Sequence, residues 1–235
     1  MLLQAQEGTD RAVAMVALGA SGAHLGALDA AMLLEAAMVD RDAPGPFGIL
    51  PTGQLARRFG IPWLQVDLFR LAFQHSRATL PRGNEALYLF WDRPDVWQLP
   101  PEQLRDGLIE TGEVMSPALE IVTASQVDHG GPMVLEGDRI LPSLRDYPLL
   151  RERVTTGQVA MVFLVEPDEA ILLGNMLVRG RGMETRRAAE HRTEAHAKWL
   201  FGQWLTVEAE RHGLPVLVPQ PWDTLAAHIL AAVTQ

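Results

Sequence analysis

Five short apolar runs, "AVAMVAL" (12–18), "IPWLQV" (61–66), "PMVLE" (132–136), "VAMVFLV" (159–165) and "LPVLV" (214–218), are spaced along the chain by longer stretches with helical periodicity. This alternation is the pattern of a parallel sheet covered by helices, because strands buried on both faces read as continuous apolar blocks. The expected fold class is therefore α/β, with a parallel sheet of about five strands. The 235 residues suit one such domain with a sizeable core.

Three helices stand out. The segment "SPALEIVTASQVDHG" (116–130) begins at a plausible Ser-Pro cap. The amphipathic segment 184–213 stops at Gly213, a residue type favoured just past a helix end. The chain closes with "WDTLAAHILAAVTQ", with Asp223 or Thr224 near the start of the helix. Residues 80–105 hold four prolines with Tyr88, Trp91 and Trp97, and read as an insertion over the rim of the sheet, where aromatics could line an acceptor pocket or simply pack.

Composition excludes several functions. The net charge of −9 argues against nucleic acid or an anionic membrane as the main partner, so a small-molecule substrate is expected. The absence of cysteine removes disulfides, thiolate nucleophiles and Cys-ligated zinc. No apolar run reaches the length of a membrane span and no leader pattern is evident, so the expected location is cytoplasmic. Lys198 is the sole lysine.

Acids at strand ends are the strongest chemical signal. "PMVLEGDRILP" runs from an apolar strand into Glu136, Gly137 and Asp138. A carboxylate at the carboxyl edge of a parallel sheet can hold Mg²⁺ or orient a hydroxyl, and the same residues also suit a turn with solvated acids. Asp67 follows "GIPWLQV" in the same way. It reads as a base beside the metal-binding acid, as the cap of a helix "LFRLAFQ", or as both. The segment "VRGRGMETRR" offers Arg179 and Arg181 on a glycine-hinged arm that could clamp phosphate, or a solvated helix start pairing its arginines with glutamates. His191 and His196, five apart, form no ligand pair and read as surface residues. Ser21 in "GASGA" lacks the closing glycine of a nucleophile elbow.

Two glycine loops have some of the spacing of the phosphate loop G-x-x-x-x-G-K-[ST]. The first, with Gly19, Ser21 and Gly22, follows an apolar strand. The second, "GILPTGQLARRF", has both glycines, Gly48 and Gly53, with Thr52 between them and Gln54 where the lysine would stand. Neither carries the lysine that neutralises β- and γ-phosphates.

The segments "LARRFGIPWLQVDLFR", "PMVLEGDRILPSL", "VFLVEPDEAILLGNMLVRGRG" and "WLFGQWLTVEAERHGLPVLVPQPWDTL" together resemble the P-loop small-molecule kinases, in the style of the 2-phosphoglycerate-kinase-like and chloramphenicol-phosphotransferase-like AAA-family ATPases. The resemblance spans about residues 52–230. It implies a three-layer α/β/α P-loop NTPase sheet in one domain over 1–235, with an Arg-rich lid at about 174–190. It also implies ATP and Mg²⁺ as cofactors and phosphoryl transfer to a small hydroxyl-bearing metabolite. On this resemblance Asp67 faces the acceptor hydroxyl, Glu136 takes the acidic role beside Mg²⁺ with Asp138 nearby, and Arg179 and Arg181 are lid arginines. The region 1–51 departs from the family: its strand and its second glycine loop are split apart and the Walker A loop is degenerate, which makes a binding protein without turnover the alternative.

Overall fold

The structure, a computed structural model, describes residues 13–17, 60–77, 84–129, 132–178 and 187–233. Five strands form one sheet: β1 (Val13–Ala17), β2 (Trp63–Gln65), β3 (Met133–Gly137), β4 (Val159–Leu164) and β5 (Val216–Leu217), in the order β2-β3-β1-β4-β5. Every pairing is parallel, with Val16 level with both Glu136 and Val162, and Gln65 level with Glu136. The apolar runs thus become strands within a few residues of the expected bounds, as a mixed α/β fold requires.

Both faces of the sheet are covered. Met133, Leu135, Val159, Met161 and Phe163 point into one core, and the intervening Val134, Val162 and Leu164 into another. The period-2 alternation of a strand sorts them in this way. Helices α1 (Val66–His75), α2 (Asn84–Asp92), α3 (Pro101–His129) and α6 (Ala188–Arg211) contribute to the first core through Val66, Leu87, Met115, Leu119, Phe201 and Leu205. Helix α7 (Trp222–Val233) closes the second with Leu225 and Ile229. Two further α-helices are α4 (Arg151–Thr155) and α5 (Glu169–Val178).

Ser116-Pro117 is not a helix start. It lies in the middle of the 29-residue α3. The buried residues Leu104, Leu108, Thr111, Met115 and Leu119 recur every three to four positions through the proline, so one largely apolar stripe holds both halves of the helix against the core. Pro117 faces solvent, and its missing N–H frees the carbonyl of the equally exposed Glu113, which water can reach. Ser116 is buried, and its hydroxyl donates to Gly112 O at 2.8 Å instead of capping anything. The true start of α3 is Pro101, at a position where proline costs nothing.

The described part of the proline-rich stretch 80–105 holds α2, a 3-10 turn at Val96–Gln98 and the first residues of α3. Ala86, Leu87, Val96 and Leu104 are core residues. Tyr88 packs on the core and donates to Phe73 O at 3.1 Å, while the Trp97 ring lies tilted against Phe90 with centroids 5.6 Å apart. Of the three aromatics, Trp91 is the one most exposed to solvent. The two later helices behave as the sequence implies: α6 ends at Arg211, with His212 as its cap followed by Gly213, whose φ of +63 favours glycine, and α7 has Asp223 and Thr224 in its first turn.

The order of strands fixes where a ligand would sit. The chain leaving β1 returns on one side of the sheet, to β2, whereas the chain leaving its neighbour β4 goes to the other side, to β5. Such a reversal opens a crevice at the carboxyl ends of the strands, the usual ligand position in open α/β sheets.

Candidate functional site

Glu136 belongs to the last turn of the ladder, not to the loop beyond it: β3 extends through Gly137. It is almost fully buried and lies on the same face of β3 as Val134, the face covered by α7. Its Oε2 accepts a hydrogen bond from the indole N–H of Trp63 at 2.8 Å. Trp63 pairs with Val134 one strand away, so its side chain rises on the same face and reaches the carboxylate two positions further up. Trp63 reads in the sequence as strand filler, and the polar tip of a tryptophan beside an end-of-strand acid is the signal that could have marked it.

Asp67 stands in the first turn of α1, whose cap residue is Gln65. It is therefore not the cap. It is buried, its Oδ1 accepts from Arg70 Nε at 3.1 Å, and Arg70 also donates to Gln74 Oε1 at 2.8 Å. Gln74 in turn donates to Leu87 O at 2.6 Å, which ties this polar chain to α2. Helix α1 packs Val66, Phe69 and Phe73 on the core opposite to the face that carries Glu136. The two acids share the carboxyl edge but have different partners on different faces. Asp138 and Arg139 form the turn after β3, both buried and ion-paired with each other.

A fourth acid at this edge went unnoticed in the sequence. Glu166 follows β4 as Asp67 follows β2, directly after the apolar run "VAMVFLV", so the same signal points to it. It is about 2% exposed. One oxygen accepts from the Asp168 N–H at 3.1 Å, and the other, Oε2, has no hydrogen-bond partner among the described residues. Asp168 caps α5, accepting from the N–H groups of Ala170 at 2.7 Å and Ile171 at 3.1 Å.

Helices α5 and α6 pack as a hairpin above β4, with Leu172 and Met176 against Ala195. Two bonds set their alignment: Glu169 Oε2 with His196 Nδ1 at 3.0 Å, and Pro167 O with the Trp199 indole N–H at 3.0 Å. The inward side of α6 changes character along its length. Phe201, Leu205 and Ala209 are apolar core residues, whereas His191, Glu194 and Lys198 make the preceding turns polar. Lys198 Nζ pairs with Glu194 Oε1 at 3.1 Å, with both side chains largely buried. His191 is buried rather than on the surface, because positions 191, 194, 198, 201 and 205 share one side of the helix. His196 is partly exposed, as its pairing with Glu169 allows.

Gly19, Ser21, Gly22, Gly48, Thr52, Gly53 and Gln54 lie outside the described residues, as do Arg179 and Arg181 of the arm. Of the lid segment, the end of α5 and the start of α6 are described, and there the Arg187 N–H donates to Glu190 Oε2 at 3.1 Å. Among the described residues, no group of three or more His, Asp or Glu side chains gathers to hold a metal ion, and no helix is long and apolar enough to cross a membrane.

No family model, no curated protein and no solved structure matches the chain.

Proposed function

We propose that the chain is an ATP-dependent phosphotransferase with the three-layer α/β/α architecture of the P-loop kinases, acting on a small hydroxyl-bearing metabolite. The observation that carries this reading is the carboxyl edge of the parallel sheet. Buried acids occur after β2, at and beyond the end of β3, and after β4, around the strand that Gly19, Ser21 and Gly22 follow in the sequence.

In this reading Asp67 accepts the proton of the acceptor hydroxyl as its oxygen attacks the γ-phosphorus. The bond to the β-phosphate oxygen breaks, and the nucleoside diphosphate leaves. Glu136, with Asp138 nearby, provides the carboxylate that suits Mg²⁺. This ion commonly takes one or two protein carboxylates and completes its shell with water and substrate phosphates, so the sparse acids of the edge fit it. When bound, ATP with Mg²⁺ supplies the activated phosphoryl group and neutralises part of its charge. Arg179 and Arg181 grip the phosphoryl oxygens. Without a loop lysine the stabilisation of developing charge falls by several kcal/mol, about what loss of a major electrostatic donor costs, so turnover is slow.

A second reading has its own support. One oxygen of Glu136 is held by Trp63 and one of Asp67 by Arg70, an arrangement that suits a protein binding a phosphorylated ligand or a protein partner without turnover. Calorimetry with Mg²⁺-ATP, followed by a phosphate-transfer assay, separates the two. Heat with steady turnover that disappears in Asp67→Asn supports transfer. Heat without turnover supports the binding role. No heat at millimolar ligand removes ATP from both.

A further inference from the structure

Neither glycine loop of the sequence carries a lysine, and the chain has one lysine in all, Lys198. It does not sit on the solvated surface where lysines usually lie. Its side chain is 13% exposed and that of its partner Glu194 is 7% exposed, with Nζ and Oε1 3.1 Å apart. A buried ion pair is a poor device for stability. Desolvation of the two charges offsets most of their attraction, and apolar residues of similar volume often serve as well or better. The pair therefore calls for a reason other than packing.

Its place in the fold supplies one. Helix α6 touches the segment leaving β4 twice, through Trp199 Nε1 with Pro167 O and His196 Nδ1 with Glu169 Oε2, both at 3.0 Å. These contacts set residues 196–199 just beyond the end of that strand at Leu164. Further along α6, Phe201, Leu205 and Ala209 belong to the core that holds Val159, Met161 and Phe163 of β4. Around the helix, Ala195 and Trp199 meet α5, whereas Ala197 meets Val96 and Leu104. At about 100° per residue, Glu194 and Lys198 fall between those two sides, on the line that Phe201 and Leu205 continue into the core. The pair is turned inward at the level where the strands end, on the side of the crevice opened by the reversal between β1 and β4. His191, one turn before Glu194 on the same line, has a buried Nε2 with no hydrogen-bond partner among the described residues, so this polar stretch is not satisfied from within. An ammonium has three N–H donors, and one carboxylate oxygen engages only one of them.

We propose that Lys198 is the phosphate-binding cation of this protein. Its ammonium takes a phosphoryl oxygen of a ligand seated at the carboxyl edge, in place of the loop lysine that the sequence lacks, and Glu194 holds it ready when the edge is empty. A compact ammonium suits this task as a point charge. That the ligand is Mg²⁺-ATP rests on the function proposed above; the anion contact does not.

A single lysine makes the test direct. The full chain labelled with ¹³C-lysine gives one ε-methylene signal, which is followed by NMR in titrations with Mg²⁺-ATP, inorganic pyrophosphate and adenosine. ATP and pyrophosphate move the signal along a saturable curve, and adenosine leaves it in place. Lys198→Met combined with Glu194→Gln removes both charges together and strands neither. It weakens both anions about tenfold, which corresponds to ~1.4 kcal/mol. A lysine signal that stays still with both anions, or a double variant that binds them as tightly as the parent, overturns the proposal. Calorimetric heat with Mg²⁺-ATP beside a still lysine signal also overturns it, and leaves the proposed function standing. A shift with pyrophosphate and none with ATP does the reverse: Lys198 remains an anion anchor and ATP is removed as its ligand.

Discussion

The indole N–H of Trp63 and Oε2 of Glu136 meet at 2.8 Å across the β2–β3 pair, so a buried acid of the carboxyl edge is held by a partly exposed aromatic on the edge strand. Hydrogen bonds to charged groups contribute about 1.5–3 kcal/mol. Trp63→Phe keeps the ring and removes the donor, so it lowers the unfolding free energy by about that amount in urea titrations. An unchanged midpoint would show that the other contacts of Glu136 suffice to hold it.

Gly137 leaves no room for a side chain. A Cβ there would lie 2.5 Å from Val66 Cβ, where the last residue of β3 passes under the first turn of α1. Gly137→Ala therefore destabilises by about 1–3 kcal/mol, the usual cost of overpacking. Combining it with Val66→Gly, which removes the clashing Cβ, costs less than the sum of the two single changes. Strict additivity in thermal melts would place the strain elsewhere.

Pro117 offers the opposite sign. It is exposed in the interior of α3, where proline is about 3 kcal/mol worse than alanine. Pro117→Ala restores an N–H opposite Glu113 O without touching the core, and raises the melting temperature. A fall would mean that the chain needs a bend at this point.

Lys198 and Glu194 form a largely buried pair 3.1 Å apart. Removing one partner of such a pair typically costs about 3–5 kcal/mol because the other charge is left behind. Lys198→Met, which keeps much of the shape, is strongly destabilising, while Lys198→Met combined with Glu194→Gln recovers a large part of the loss. Denaturant unfolding of the two variants and the parent checks the sign and the recovery.

Much of the sheet was legible because burial on both faces forces uninterrupted apolar runs, and these mark strands without reference to tertiary context. Helix boundaries were less so. Pro117 looks like a start signal because local propensity cannot see that Leu104 through Leu119 form one buried stripe. His191 looked superficial for the same reason: the spacing to His196 is visible in the sequence, but the side of α6 that turns inward is set by Phe201 and Leu205. At the site, position was readable and partnership was not. Asp67 and Glu136 announce themselves after apolar strands, and so does Glu166, yet nothing local tells that Trp63 would reach one and Arg70 another. Those pairings depend on register between strands far apart in the chain and on helix packing.

The placement of β1 has a consequence for how the molecule assembles. It is the middle strand, yet Val13 is level with Met133 on one side and Val159 on the other. Contacts of such long sequence separation are slow to form, because a large loop must close before any pairing rewards it. During synthesis from the N-terminus this strand waits with both edges open until β3 and β4 have emerged, which makes it the segment most exposed to misassociation. Without it, β2-β3 and β4-β5 have no common neighbour and the sheet divides into two ribbons.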